Sequence, residues 1–351
     1  MRWPAAATAT GGMRGPRPGS RTTGGSDRRM SLVPFIFLAL FVLVAGLLLR
    51  EFATVARAHA PVQTRVVFVG DSAPACTAEI PKVIWTYWQA APPSAFIQAC
   101  IANWGRFAPN HEVRLLDRSS AAQWLPALRA DFDELPAYRQ ADWLRVQLLA
   151  RHGGVWMDAS TLLSRDLGWL HDLRARRQAE YVGFYIDRYT TRPELPMVEN
   201  WFMASVPGGG FVTALAAAFD RALAEGAEPL LQRLRAEGRH AAVVQGLTED
   251  FQRYLLMHVA AAELLDREPE AHRLALLRAE DGPYAWLAAV GWRKRHLYAR
   301  LALTHSPTRL PASQRRFSQF RSTTARSPLR SLTRAGSALI ELLGKPDDHG
   351  R

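Results

Sequence analysis

Apolar positions along this chain come in short blocks whose period changes repeatedly between that of a strand and that of a helix. Residues 79–89, EIPKVIWTYWQ, set Val83, Ile84 and Trp85 in succession behind Pro81, which reads as a buried strand followed by a loop. SAFIQACIANWGRF (94–107) has helical spacing behind a serine cap. HEVRLLD (111–117) reads as a second strand, and SSAAQWLPALRA (119–130) as a further helical piece. A long helix is expected over AYRQADWLRVQLLARH (137–152), stopped at Gly153, where glycine can take the left-handed conformation. In RHGGVWMDAST (151–161) the run Val155–Trp156–Met157 then reads as a strand buried on both faces, with Asp158 leaving its end. AEYVGFYID (179–187) and NWFMASV (200–206) predict two more strands, and residues 211–225, 248–266 and 284–303 predict helices. Strands that alternate with helices imply an α/β sheet covered on both faces.

The ends of the chain have a different character. SLVPFIFLALFVLVAGLLL (31–49) carries no charge and has about the length of a bilayer-spanning helix. A cleaved secretory signal is the alternative, because AHA at 58–60 resembles a small-x-small site, but the apolar core exceeds the usual signal length. The expected organisation is a disordered basic N-terminus (1–30), an anchor (31–49), a spacer (50–78), a catalytic domain (79–312) and a basic, mostly disordered tail (313–351), with a short helix conceivable at ALIELLG. Six arginines before the apolar run place the domain across the membrane, in a Golgi-like lumen, if translation starts at Met1. A bacterial chain starting at Met30 would have Arg50, Arg57 and Arg65 as its dominant flank, and its domain would face the cytosol at the inner membrane.

The net charge of +12 on 351 residues sits largely in these ends. No aromatic interleaving or nucleic-acid fingerprint accompanies it, so a solvated tail or a contact with anionic lipid is expected instead of nucleic acid. Cys76 and Cys100 are too few for a disulfide framework, leaving two buried thiols or one bridge.

Ligands of open α/β sheets bind outside the carboxyl ends of strands, and Trp85, Asp117 and Asp158 each fall at or near such an end. Asp142 and Arg145, three residues apart, share one helix face. Alone they would read as an intrahelical ion pair. The spacing onward through Gly153 and Gly154 to Asp158 gives them a second meaning: helix face, glycine turn, short strand, carboxylate.

ADWLRVQLLARHGGVWMDAS resembles the sugar-binding region of glycosyltransferase family 32 and its relatives, above all the capsular polysaccharide synthesis proteins. IPKVIWTYWQ and VENWFMAS are similar to flanking segments of that family, and the likeness covers roughly residues 79–305. The resemblance implies a GT-A-type nucleotide-binding sandwich with a central, mostly parallel sheet. It also implies a retaining, hexosyltransferase-like enzyme that moves a sugar from a nucleotide-sugar donor to a glycan, polysaccharide or lipid-linked acceptor. By the same resemblance, Asp142 would accept bonds from donor hydroxyls, Arg145 would meet donor sugar or phosphate, and Asp158 would hold a divalent metal or contact the ribose. Trp85 would stack on the nucleotide base, with a core tryptophan as the alternative, and Asp117, Gly153, Gly154 and Ser160 would border the donor.

One departure bears on the metal. The motif usually ends in a second aspartate, and this chain has Ser160 there. A hydroxyl is a poorer ligand for Mg²⁺ or Mn²⁺ than a carboxylate, so a weakly held metal is expected, with His258 or His305 as a possible late ligand. Glu249 and Asp250 are explained by helix capping. Two other classes compete: a metal-dependent hydrolase, and a non-enzymatic basic membrane protein binding lipid or nucleic acid.

Overall fold

The computed structural model describes residues 33–303 apart from 60, 62 and 91. The basic N-terminus (1–30), the tail from 313 and His305 lie outside the described residues. The chain divides into two units at Arg50. Helix α1 (Val33–Arg57) carries an exposed apolar surface, with mean hydropathy 2.5 over its most apolar window. It is long and apolar enough to cross a membrane, a property signal sequences share.

In the second unit, seven strands among the described residues form one sheet. They are β1 (Val66–Val69), β2 (Val83–Tyr87), β3 (Glu112–Leu116), β4 (Gly154–Met157), β5 (Tyr181–Tyr185), β6 (Val198–Ser205) and β7 (Leu274–Arg278). Their order is β1-β7-β5-β6-β4-β2-β3. The pairs β2/β3, β2/β4 and β5/β7 are parallel, whereas β6 is antiparallel to β4 and β5, and β1 to β7. Five strands therefore run one way, and β6 and β1 run against them.

Alternate residues of the strands feed two cores, as a pleat buried on both faces requires. Trp85, Trp156, Tyr181, Met203 and Leu276 join one cluster, which α4 (Ala137–His152), α6 (Gly210–Glu225) and α10 (Leu256–Arg267) cover with Leu144, Leu148, Phe211, Leu215 and Val259. Ile84, Val155, Met157, Val182 and Phe202 join the other, beneath Trp104 of α2 (Ala95–Phe107) and Leu170 of α5 (Gly168–Arg177). The remaining helices are α3 (Arg118–Ala121), α7 (Ala227–Ala236), α8 (His240–Val244), α9 (Glu249–Tyr254), α11 (Ala285–Ala289) and α12 (Lys294–Leu303).

Several expectations need correction. Residues 50–78 are no bare spacer, because α1 runs to Arg57 and Val66–Val69 pairs with β7, itself a strand the periodicity did not reveal. The single helix expected over 248–266 breaks at Leu255, and that over 284–303 breaks at Gly291–Trp292, where both residues have positive φ. The helical piece at 119–130 shrinks to α3. Cys76 and Cys100 are unpaired thiols.

Candidate active site

The site is built by the α4–β4 connection. Pro136 precedes α4, and the helix stops at Gly153 with φ 64°. Gly154 follows with φ 98°, where a Cβ would stand 2.8 Å from the Val83 carbonyl oxygen. Two left-handed residues in succession turn the chain straight from helix into strand, which glycine alone does without strain. The strand then lies beside β2 (Ile84 opposite Val155, Trp85 opposite Trp156) and delivers Asp158 at its open end, where the Asp158 amide donates to the Trp201 carbonyl at 2.9 Å.

Arg139, Asp142 and Arg145 follow one another at three-residue steps along α4 and share a face. Arg145, 4% exposed, is the hub. Its Nη2 lies 3.1 Å from Asp158 Oδ1 and 3.3 Å from Asp142 Oδ1, and its Nη1 donates to the Asn200 carbonyl at 2.7 Å. The Asn200 side chain donates back to Asp142 Oδ1 at 3.0 Å, and Arg139 Nη1 reaches Asp142 Oδ2 at 3.4 Å. Two carboxylates thus meet two guanidinium groups, which offsets much of the cost of burying each charge. The Trp156 indole N–H donates to Asp158 Oδ1 at 2.9 Å, and the Arg145 guanidinium lies over the Trp156 ring at 5.1 Å.

These groups border a cavity of about 340 Å³, within the range of small-molecule sites. Asp142, Arg145, Trp156, Asp158, Ala159, Ser160 and Asn200 line it, with His258 of α10. Tyr87, Trp88, Tyr138 and Tyr254 supply aromatic walls. The Asp158 side chain keeps 39% of its surface open to it. Crowding by protein pushes the Asp158 carboxyl above the usual aspartate range, against the pull of Arg145 and the Trp156 N–H. The bonds from Arg145 and Trp156 both fall on Oδ1, and Oδ2 takes no hydrogen bond from a described residue.

The structure brings Asp142, Arg145, Asp158, Ser160 and His258 to one cavity and sends Trp85, Asp117, Gly153 and Gly154 elsewhere. Trp85 is 1% exposed, donates its indole N–H to the Gly153 carbonyl at 2.9 Å, and packs edge-on against Trp124 at 5.2 Å. Its faces are core, closed to a base. Asp117 caps α3 through a reciprocal pair of bonds with Ser120 and does not line the cavity. Those bonds, led by the Ser120 amide, hold its carboxyl down at about 2. Gly153 and Gly154 shape the turn and do not line this cavity.

Sequence reasoning missed Asn200, Tyr87 and Trp88. Asn200 sits within VENWFMAS, but nothing in that string says that its side-chain amide meets Asp142 while its backbone carbonyl meets Arg145. Tyr87 and Trp88 stood beside Trp85 in the same aromatic run. Tyr87 is fixed by its bond to Gln140 at 2.6 Å, and Trp88 lines the cavity with an indole N–H that has no partner among the described residues.

A metal fits this site only in a limited way. Among the described residues, no group of three or more His, Cys, Asp and Glu side chains could hold one. Asp158 Oδ2 and the Ser160 hydroxyl offer one charged and one neutral donor. That suits Mg²⁺ or Mn²⁺ arriving with a phosphate and keeping several waters.

Residues 71–221, which carry β2 to β6 and most of this site, match the family described as capsular polysaccharide synthesis protein. A curated relative, the O-glycosyltransferase braB of Annulohypoxylon truncatum, is 28% identical over 152 residues, which is 37% of this chain and 35% of that protein. The chain thus spans about a third of the relative's length. A solved structure, the PaToxG glycosyltransferase, is similar at 14% identity and a TM-score of 0.31 over 61% of this chain and 79% of that one, too loosely for anything to be drawn from it. Over residues 71–221, where the helix-face pair and the strand-end aspartate lie, the chain is similar to the capsular polysaccharide synthesis proteins, and over a stretch of 152 residues to an O-glycosyltransferase.

Proposed function

We propose that the chain transfers a sugar from a nucleotide-sugar donor to a glycan, polysaccharide or lipid-linked acceptor, with retention of anomeric configuration as in the family-32 enzymes it resembles. The observation that carries this is the junction of Asp142, Arg145 and Asp158 at the open end of β4, facing one cavity. In transfer, the bond from the anomeric carbon to the diphosphate breaks, a bond to an acceptor oxygen forms, and that hydroxyl gives up its proton. Negative charge grows on the leaving phosphate, and preorganised cations stabilise it without reorganisation. Arg145 is held for that purpose by Asn200 and two carboxylates. Asp142 keeps lone pairs for donor hydroxyls. A divalent metal on Asp158 Oδ2 and Ser160 would add Lewis-acid stabilisation when bound.

The hydrolase reading calls for a cluster of metal ligands, and among the described residues no group of three or more such side chains comes together. Helix α1 serves as a single-pass anchor in this proposal. The deciding experiment incubates the purified 51–351 fragment with a panel of uridine- and guanosine-diphosphate sugars and measures nucleotide release. Turnover of at least one donor that Arg145→Lys depresses supports transfer. Absence of turnover across the panel, in protein that binds no nucleoside diphosphate, defeats it.

A further inference from the structure

Outside α1, the large apolar side chains that stand exposed among the described residues are Leu115, Tyr138, Phe251 and Tyr254. Two of these four line the cavity. Tyr138 is 45% exposed and Tyr254 54% exposed, and their rings lie 5.4 Å apart at 33°. They come from different elements, α4 and the end of α9, so their pairing is tertiary and not a consequence of local spacing.

The pair is also held in place. Arg139 Nη2 donates to the carbonyls of Arg253 (3.1 Å) and Tyr254 (2.8 Å), both at the end of α9. The Arg139 guanidinium covers the Tyr138 ring at 5.1 Å, and its other arm reaches Asp142. One arginine thus fixes both tyrosines relative to the carboxylate on the cavity floor. Rings held this way while still open to solvent make a rigid platform, which lowers the ordering cost of a ligand that lands on it.

We propose that Tyr138 and Tyr254 form the acceptor subsite, and that its occupant is a pyranose ring of the acceptor glycan; this rests on the glycosyltransferase reading above. A pyranose presents an apolar face of C–H bonds, which the electron-rich face of a tyrosine attracts, and a rim of hydroxyls that water or nearby polar groups satisfy. The placement separates acceptor from donor. The donor's diphosphate needs the charged floor at Arg145 and Asp158. The tyrosines are open to solvent, so a sugar stacked there can continue outward as a longer chain or toward a lipid.

The test uses saturation-transfer NMR with methyl glycosides of glucose, galactose, mannose and N-acetylglucosamine on the 51–351 fragment, alongside donor hydrolysis and UDP or GDP binding. The wild-type protein should transfer saturation to the ring protons of at least one glycoside. Tyr138→Ala and Tyr254→Ala should each abolish that signal, while Tyr138→Phe and Tyr254→Phe retain it. In transfer to the same glycoside, the alanine variants should raise acceptor KM about tenfold or more while donor hydrolysis stays within about twofold. No saturation transfer to any of the four glycosides overturns the proposal, as does loss of nucleotide binding in Tyr254→Ala, which would assign the rings to the base. Either result leaves donor hydrolysis by the wild-type protein, and with it the glycosyltransferase reading, standing or falling on its own.

Discussion

The Nη2 of Arg145 lies 3.1 Å from Oδ1 of Asp158, joining the middle of α4 to the open end of β4 across thirteen residues of chain. The pair holds a carboxyl group at the mouth of an apolar strand, and in the proposed transfer its guanidinium would meet the charge gathering on the leaving phosphate. The proposal thus gives one contact two roles, stability and chemistry, and variants should separate them.

Arg145→Lys keeps a charge but cannot meet Asp142, Asp158 and the Asn200 carbonyl together, because an ammonium lacks the planar fork. Unfolding in urea should show a loss on the order of 3 kcal/mol, as for a broken buried ion pair. Initial rates on the best donor should fall by more than about tenfold. Asp142→Asn, nearly isosteric and still able to face Asn200, should lose rate with a smaller loss of stability. Equal rates in all three proteins would reduce the cluster to a structural bridge.

Asp158→Asn removes the one charged metal donor at almost constant shape. Transfer should fall at least ~10²-fold, on the order of 3 kcal/mol of transition-state stabilisation. Because Ser160 contributes a neutral oxygen, wild-type activity should yield readily to chelator, and Ser160→Asp should tighten Mn²⁺ in a metal titration. Rates indifferent to chelator that also survive Asp158→Asn would eliminate the metal and leave Asp158 as a strand-end cap.

Burial places the Asp158 carboxyl above the usual aspartate range. A proton then competes with metal at a higher pH than for an ordinary aspartate. Metal affinity and rate should both decline as pH falls through that raised value, giving an acid limb that Asp158→Asn lacks. An acid limb of the same position in the variant would assign it to another group.

Trp85→Ala should cost about 3–5 kcal/mol of stability, as for a large aromatic removed from a closed core. Trp85→Phe should fold and bind nucleoside diphosphate with wild-type affinity in calorimetry. A weakened affinity in that variant would return the indole to the binding site.

Asp117 gives a prediction of the opposite sign. Its folded carboxyl sits at about 2, below an unfolded aspartate near about 3.9. Its contribution is thus present above the unfolded value and lost as pH falls toward the folded one. Acid titration of stability should be flatter through that window in Asp117→Ala, with nucleotide binding unchanged. Altered binding would place Asp117 near the donor.

The sequence by itself determined the parts that depend on local spacing. Three-residue steps on a helix put Asp142 and Arg145 on one face, and the Gly153–Gly154 pair predicted the abrupt change from helix to strand that exposes Asp158. The apolar run of α1 was equally plain, because span length is a matter of composition. What the tertiary structure decided was which of several similar residues faces which neighbour. Three aromatics within four positions, Trp85, Tyr87 and Trp88, look alike in a string. Trp85 and Tyr87 share one face of the pleat, but the Gly153 turn and Trp124 close over Trp85, whereas Tyr87 and Trp88, at the carboxyl end of β2, border the cavity. β1 and β7 escaped notice because each is short and finds its partner about 200 residues away, where no local pattern records the pairing. Asn200 and the Tyr138–Tyr254 pair are legible only in three dimensions for the same reason. Their roles are contacts between elements, and sequence periodicity reports contacts only within one.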